Sequence, residues 1–511
     1  MIFINNLSKI NLLCMSLFFL YACQNPTSKS TVQLTEEVEY LKLDKSFLEI
    51  TTLASGLKVP WGMDYYGNKL LFTEIDGLVK ELNLETGQLK TLLTLKDVYT
   101  RTTPGLLDIT IQKNYKNEPF VFINYTKEVD ARIVSSLMRY TYNGDSLVNP
   151  QEILTIPGAK GHNGSRLLID KNDILYWATG DVADNKMAQD STTLNGKVLR
   201  MHLDGTVPAD NPIPNSLVFA WGFRNIQGMT LDNQNNLFTS EHGDAVEDEV
   251  NWVRPLHNYG WPLIEGMHDT PEELALVGQK SMTEPIQSWT PVIAPAGLAF
   301  YGNAAIPEWK NSLLLVSLKN QSLRVLKLDK DQHSIQSEKL FFAGKYGRMR
   351  AVTVLPNGDI LLATSNRDWN PQPGFPLAED DRIIRLRISN KKPKKYIQSD
   401  DQVQSDTKQV EGALLYKNYC ASCHQANGTG LAKTFPALVN SPTIKNLPLF
   451  SKLLLEGTQE KKAIAGVRYE QNMASYAFLK DEELAAIINY VSQEFGDKSQ
   501  IKPTDLKKLR K

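Results

Sequence analysis

The stretch NYCASCH, residues 418–424, is the most informative part of this chain for its fold. It places Cys420 and Cys423 three positions apart, and His424 follows directly. A C-x-x-C-H run is typical of covalent haem attachment, because two thiols at this spacing can add to both vinyl groups of one haem while the adjacent imidazole binds the iron. The sequence therefore predicts a small c-type haem domain with His424 as the proximal iron ligand.

Two other chemistries use a pair of thiols at this spacing. A zinc site needs further cysteine or histidine ligands, and the sequence contains neither after His424. A thioredoxin-type dithiol needs a βαβ surrounding, whereas the pattern around these cysteines is helical. Haem attachment is therefore the interpretation that the neighbouring sequence favours.

The sequence after residue 409 has helical periodicity. An amphipathic helix is predicted to start near Asp481, with an apolar stripe of Leu484, Ile487, Ile488 and Val491. Met473 is the only methionine after residue 409 and precedes this helix. A lone methionine is usually core filler, but the stretches GTGLAKTFPAL and MASYAFLKDEELAAIINYV resemble the haem-wrapping and methionine loops of small c-type cytochromes. That resemblance implies that Met473 is the second axial ligand of the iron.

Composition describes an ordinary globular protein. The chain has 511 residues, of which 42% are hydrophobic and 22% are charged, and its formal net charge is −1. This balance excludes a basic nucleic-acid-binding chain and an acidic disordered one. No cysteine lies between Cys23 and Cys420, so the long middle segment has no disulfide framework.

The N-terminus has the pattern of an export signal. Lys9 precedes the apolar run INLLCMSLFFLYA, which is too short for a permanent membrane span. The run ends at Leu20-Tyr21-Ala22-Cys23, which resembles a bacterial lipobox and implies lipidation of Cys23 after cleavage. The alternatives are an uncleaved anchor or a signal cut elsewhere. We expect an exported protein held by lipid on a bacterial membrane, facing the periplasm or the cell surface, as haem attachment also requires.

The middle of the chain repeats one β-strand pattern. Short apolar or β-branched runs follow turn signals such as Pro356-Asn357-Gly358, and a more polar run usually comes next. The leading runs are KLLFTE (69–74), FVFINY (120–125), ILYWATG (174–180), NLFTSE (236–241), SLLLVSL (312–318) and DILLATS (359–365). Six such units predict an all-β six-bladed propeller. Two β-sandwiches are the alternative, but no linker divides the units at a midpoint.

The chain then divides into six segments. A charged stretch, almost free of large apolar residues, separates the repeats from the helical part. The predicted segments are a lipoprotein signal peptide (1–22), a polar tether (23–45), a six-bladed β-propeller (46–390), a charged linker (391–409), an all-α cytochrome c domain (410–500) and a basic tail (501–511).

Several motifs of the propeller together resemble one enzyme family. They are GHNGSRLLID, WGFRNIQGM, EHGDAVEDEVNWVRPLHNYGWP, SWTPVIAPAG and GRMRAV, in the expected order across roughly residues 50–390. They are similar to the soluble glucose/sorbosone dehydrogenases, six-bladed propellers that oxidise sugars with pyrroloquinoline quinone (PQQ) and calcium. The resemblance implies a PQQ-dependent dehydrogenase that oxidises an aldose.

Three cations are candidates for holding PQQ, which carries three carboxylates. Arg348 and Arg350 are two residues apart, so both point to one face of an extended segment, and guanidinium groups bind carboxylates with two hydrogen bonds. Lys319 ends the apolar run LLLVSLK, where a cation needs an anionic partner. Each alone could be a surface charge, but the resemblance implies that all three bind the cofactor.

The resemblance also implies the residues of catalysis. His162 lies between two glycines and would act as the general base on the sugar hydroxyl, as an imidazole can near neutral pH. Arg224 would stabilise negative charge that develops on the quinone oxygens, with Asn225 beside it. An exposed loop histidine is the alternative for His162.

Calcium is implied at two places. The backbone carbonyls of Gly243 and Asp244 correspond to the family's ligands for the ion that polarises PQQ, although the family often has proline at position 244. Glu249 and the Tyr259 carbonyl correspond to a second, structural calcium site, and oxygen ligands suit this ion. A plain acidic loop is the alternative, since DAVEDE would fit one.

Two differences from the family concern the substrate. Thr103 replaces a usual Gln or Glu, and Gly161 replaces the acidic residue of the glucose-oxidising members. We therefore expect a broad aldose specificity, with sorbosone-like aldehydes or other alcohols as the alternative. Electrons would pass to the haem and then to a further exported cytochrome or oxidase. A calcium-dependent lactonase is a rival function that has no use for the three cations together. A non-catalytic sugar-binding propeller that carries a cytochrome is a second rival, and it would not need His162 or Arg224.

Overall fold

The structure, a computed structural model, describes residues 38–115, 117–400, 412–458, 463–464, 467–469 and 473–510. The predicted signal peptide, Cys23, most of the tether and the later part of the linker lie outside these ranges. None of the helices in the described part of the chain has the length and hydropathy of a membrane span.

The first two strands of the chain belong to the last blade of the propeller and are β1 (Glu39–Lys42) and β2 (Phe47–Ala54). Blade one consists of β3 (Pro60–Tyr66), β4 (Lys69–Glu74), β5 (Leu78–Asn83) and β6 (Leu89–Thr94). Blade two consists of β7 (Leu106–Ile111), β8 (Phe120–Val129), β9 (Arg132–Tyr142) and β10 (Leu147–Pro157). Blade three consists of β11 (Gly164–Ile169), β12 (Ile174–Thr179), β13 (Lys197–His202) and β14 (Val218–Trp221).

Blade four contains an insertion, and blade six takes strands from both ends of the domain. Blade four consists of β15 (Ile226–Leu231), β16 (Leu237–Glu241), β17 (Asp248–Val253) and β18 (Gln287–Trp289), with helix α1 (Pro271–Val277) before β18. Blade five consists of β19 (Pro295–Tyr301), β20 (Ser312–Ser317), β21 (Leu323–Leu328) and β22 (Ile335–Phe341). Blade six consists of β23 (Met349–Val354), β24 (Ile360–Thr364) and β25 (Ile383–Ser389), followed by β2 and β1.

The six blades form a closed ring. Every blade is antiparallel, and the first strands β3, β7, β11, β15, β19 and β23 contact one another in sequence, with β23 returning to β3. β2 pairs with β25, so that Phe47 lies opposite Ser389 and the N-terminal strands complete blade six. The prediction of a six-bladed β-propeller is confirmed.

The strands predicted to lead each unit are the second strands of their blades. β12 and β20 are buried at every position, because blades pack on both of their faces, and this produces the strong apolar runs. The first strands line the central axis, where space is short. A Cβ atom at Gly297 of β19 would lie 2.8 Å from Ala351 Cα in the next blade. Because small and polar residues occupy such positions, the first strands do not form apolar runs and were not recognised from the hydrophobic pattern of the sequence.

The tether and linker are shorter than the sequence indicates. β1 lies within the predicted tether, and its Leu41 is fully buried in the propeller core. Ile397, within the predicted linker, forms backbone hydrogen bonds with both Tyr40 and Lys42. Both segments therefore contribute to blade six, because alternating apolar side chains and edge pairing outweigh their polar composition.

The C-terminal domain is helical. Its elements are α2 (Gly412–Tyr419), α3 (Ala421–His424), α4 (Pro442–Lys445), α5 (Leu447–Glu456), the short strands β26 (Ala463–Ile464) and β27 (Val467–Arg468), α6 (Asp481–Phe495) and α7 (Pro503–Leu509). The predicted stripe of α6 is buried in the core of this domain. The predicted basic tail contains α7, which packs there through the fully buried Leu506.

Candidate active site and haem centre

A cavity of about 380 Å³ lies between the propeller and the C-terminal domain. Its lining from the propeller includes His162, Arg224, Asn225, Gly243, Asp244, Lys319, Arg348 and Arg350, and its lining from the C-terminal domain includes Cys420, Cys423, His424 and Met473. The propeller residues lie in loops before first strands or after second strands, except Arg350, which lies in β23 itself. In an antiparallel propeller these loops meet at one end of the ring, which brings distant parts of the sequence together.

The arginine pair has too few anionic partners. Arg348 Nη2 and Arg350 Nη2 donate to the same oxygen, Oδ2 of Asp368, at 3.2 and 3.0 Å. Both guanidinium groups are buried, and the Nε of each has no hydrogen-bond partner. Burial lowers the pKa of Arg350 to about 10. Two buried cations that share one carboxylate fit an added polycarboxylate such as PQQ.

Lys319 lies at the junction of the two domains. It follows β20, lines the cavity, and its Nζ donates to the backbone carbonyl of Asn418 in α2. Burial lowers the pKa of Lys319, while the carboxylate of Asp248 opposes that shift. The cation thus faces the cavity from the propeller side and contacts the segment just before Cys420.

His162 is oriented by a buried carboxylate. His162 Nδ1 lies 2.8 Å from Asp181 Oδ1, and Asp181 also accepts hydrogen bonds from the indole of Trp261 and from Ala183 N, at 2.8 and 2.9 Å. Burial alone would raise the pKa of Asp181, but His162 and Arg224 hold it below its ordinary value. An ionised Asp181 keeps the proton on Nδ1, so Nε2 is the nitrogen that can accept a proton from a bound molecule.

Arg224 and Asn225 join the His162 loop to the acidic loop of blade four. Arg224 Nη2 donates to Asp244 Oδ1 at 2.7 Å, and its Nε is buried without a partner. Asn225 Oδ1 accepts from Gly164 N at 3.2 Å and from Gln227 Nε2 at 3.1 Å. The loops before β11 and β15 are therefore tied together beside the cavity.

The two predicted calcium sites differ in position. Gly243 and Asp244 line the cavity, whereas Glu249 and Tyr259 do not. Glu249 accepts from Gly266 N at 2.7 Å and from Asn251 Nδ2 at 2.9 Å, and burial raises its pKa. Among the described residues, no three His, Cys, Asp or Glu side chains gather as a metal site. Both calcium sites stay predictions.

The C-terminal side of the cavity carries a haem-type donor set. His424 Nδ1 donates to the Pro436 carbonyl at 2.9 Å, which leaves Nε2 free to bind iron. Burial also lowers the pKa of His424 and so favours the neutral imidazole. Cys420 and Cys423 are free thiols, and Met473 lines the same cavity. Two thiols, an imidazole of fixed tautomer and a thioether fit a covalently attached haem.

Three site residues were missed from the sequence. Asp181 lies two residues after the end of the apolar strand β12, and a carboxylate close to a strand end is a signal that could have identified it. Asp368 has no local signal, because only folding brings it to the arginine pair. His242 lines the cavity, donates from Nε2 to the Pro295 carbonyl at 2.9 Å, and burial lowers its pKa to about 3.

Comparisons with known families match both parts of the chain. A family model described as Glucose / Sorbosone dehydrogenase matches residues 57–370. A second family model, described as Cytochrome c, matches residues 409–494.

Individual relatives match the same two parts. Quinoprotein glucose dehydrogenase B of Acinetobacter calcoaceticus is 26% identical over an alignment that covers 69% of this chain and 91% of that protein. Cytochrome c-552 of Thermus thermophilus is 34% identical over an alignment that covers 20% of this chain and 86% of that protein. The solved PQQ-bound aldose sugar dehydrogenase from Streptomyces coelicolor aligns with a TM-score of 0.58 at 29% identity, covering 70% of this chain and 99% of that one.

Proposed function

The chain belongs to the glucose/sorbosone dehydrogenase family and is a PQQ-dependent sugar dehydrogenase with a cytochrome c domain, and we propose that it oxidises aldoses to lactones and passes the electrons to its own haem. The observation that carries the proposal is the single cavity lined by the arginine pair on one side and by the haem motif on the other. When bound, PQQ supplies the acceptor for a hydride and haem c supplies an acceptor for single electrons.

The proposed site residues of the propeller divide into binding and catalytic groups. Arg348, Arg350 and Lys319 would bind the carboxylates of PQQ. These carboxylates would provide anionic partners for the two buried guanidinium groups, whose Nε atoms have no hydrogen-bond partner. The carbonyls of Gly243 and Asp244 hold the proposed calcium ion.

Catalysis needs a general base and a hydrogen-bond donor that stabilises developing negative charge. His162 Nε2 takes the proton of the anomeric hydroxyl, because Asp181 holds the other ring nitrogen. Arg224 would donate hydrogen bonds to the quinone oxygen atoms of a bound PQQ, which would stabilise negative charge there.

The part of the cavity wall formed by Thr102, Thr103, Lys160 and Gly161 has no acidic side chain, which supports a broad aldose substrate class. The hydroxyl groups of Thr102 and Thr103 donate to the Lys160 carbonyl at 2.9 and 3.2 Å, and Gly161 follows with no side chain. No acidic side chain stands at positions 103 or 161 to select one arrangement of sugar hydroxyls. The proposal includes export, a lipid anchor at Cys23, and a further exported cytochrome or oxidase as the final acceptor.

The function is tested by adding PQQ, Ca²⁺ and a panel of aldoses to the full chain. We expect the α-band of ferrous haem to appear with at least several aldoses and only when PQQ is present. Absence of haem reduction and of dye-linked oxidation across the panel would overturn the proposal. Hydrolysis of lactones under the same conditions would favour the rival lactonase.

Replacing Arg348 or Arg350 by glutamine should weaken PQQ binding by about 10- to 100-fold, since each change removes a charged hydrogen bond to a carboxylate. The measurement is a PQQ titration of the protein by calorimetry. Arg385→Gln in β25, which does not line the cavity, is the matched control. Unchanged PQQ affinity in both cavity variants would contradict the assignment.

A further inference from the structure

The loop between β24 and β25 contacts the C-terminal domain beside the haem motif. Asn370 Nδ2 donates to the backbone carbonyl of Ser422 at 2.9 Å, and the Asn370 side chain is buried. The indole of Trp369 stacks on the ring of Phe435, with centroids 6.0 Å apart and planes inclined by 26°. Ser422 lies between the two cysteines of the haem motif, so this contact is two residues from Cys420 and one residue from Cys423.

The same loop also organises the cofactor end of the cavity. Asp368, the shared partner of Arg348 and Arg350, immediately precedes Trp369. Asp368, which binds the arginine pair, and Asn370, which binds the haem motif, are therefore only two residues apart in the same loop. The loop is held at both of these points and so links the two ends of the cavity.

We propose that Trp369 and Asn370 form the docking element that seats the chain's own cytochrome c domain for electron transfer from the propeller. The proposal rests on the proposed function and identifies the partner surface within the same chain. Both residues are positioning residues. They act by holding the segment from Ser422 to Phe435 against the cavity, where electrons need no soluble carrier to reach the haem.

The number of electrons released per sugar determines how much haem reduction can be observed. Oxidation of one aldose to its lactone releases two electrons and two protons, and the protons go to solvent. The haem iron takes one electron at a time, from ferric to ferrous. A one-electron oxidant such as ferricyanide must therefore reoxidise the haem once before the second electron can follow. Without it, one equivalent of haem is reduced per chain.

The test compares Trp369→Ala, Asn370→Ala and the double variant in the full chain loaded with PQQ. Stopped-flow absorbance after mixing with an aldose gives the rate of haem reduction. Steady-state assays with excess soluble two-electron dye give the rate of sugar oxidation without the haem. We expect the double variant to reduce its haem at least about 10-fold more slowly, because one hydrogen bond and one aromatic contact that favour docking are lost. Dye-linked oxidation should stay within about twofold of the unmodified protein, a change of under 1 kcal/mol.

Two controls are matched to these variants. Trp369→Phe keeps an aromatic ring against Phe435 and should restore most of the haem reduction rate. Tyr115→Ala removes an exposed aromatic ring from the β7–β8 loop, which lies at the opposite end of the strands from the cavity, and should change neither rate.

A second measurement does not depend on activity. Hydrogen–deuterium exchange of the haem-loaded protein without PQQ should show faster exchange in residues 412–424 of the double variant, because the docked segment is released more often. Unchanged haem reduction or unchanged exchange in the double variant would overturn the docking proposal. Equal losses of haem reduction and dye-linked oxidation would also overturn it, since the loop would then act on cofactor binding. Absence of dye-linked oxidation in the unmodified protein would instead overturn the proposed function.

Discussion

Replacing His162 by glutamine should lower kcat for PQQ-dependent aldose oxidation by about 10²- to 10⁴-fold, the usual contribution of a positioned general base. His162 lies at the cavity with Nδ1 held by Asp181, so loss of the imidazole removes the only proposed proton acceptor. The measurement is steady-state oxidation with a soluble dye, which excludes the haem from the rate. PQQ affinity should remain unchanged, because the proposed carboxylate ligands are elsewhere.

Replacing Asp181 by asparagine keeps the imidazole of His162 but removes the carboxylate that orients it. The amide cannot hold the proton on Nδ1 in the same way, so we expect a loss of roughly 10- to 100-fold in kcat, smaller than for His162→Gln. Asp184→Asn, an exposed change in the same loop, is the matched control and should leave kcat unaltered. Full activity in His162→Gln would remove this residue from the mechanism, whatever the result for Asp181.

Replacing Met473 by leucine should leave the haem attached but lower its reduction potential by on the order of 0.1 V, because a thioether ligand raises the potential of haem iron. A fall of this size disfavours reduction of the haem by about 50-fold at equilibrium. Sugar oxidation measured with a soluble dye should be retained, while electron transfer to the haem should be largely lost. The measurement is a spectroscopic redox titration.

The control for this variant changes a methionine that is remote from the haem motif in sequence. Met267→Leu alters a half-buried methionine of the propeller and should change neither the potential nor the haem spectrum. An unaltered potential and ferric spectrum in Met473→Leu would show that another group, or none, completes the coordination of the iron.

The sequence alone was sufficient where the deciding residues are close together in the chain. The haem motif and the apolar stripe of α6 are contiguous patterns, and a helix or an attachment site of this kind depends on local spacing. The propeller was also predictable, because six second strands are buried on both faces and repeat as strong apolar runs. Its cavity residues were named through family motifs, and the structure brings those from the propeller to one end of the ring.

Only the tertiary structure identified the partners of those residues. Asp181 and Asp368 lie 19 and 20 residues from His162 and Arg348, and no local period connects them. The closure of blade six joins β2 to β25 across most of the propeller, and the contact of Asn370 with Ser422 joins two domains. Such pairings arise when strands and loops distant in the chain are packed together. Their energy comes from burial and from hydrogen bonds between elements that are distant in the chain. Such pairings therefore cannot be predicted from the spacing of residues in the sequence.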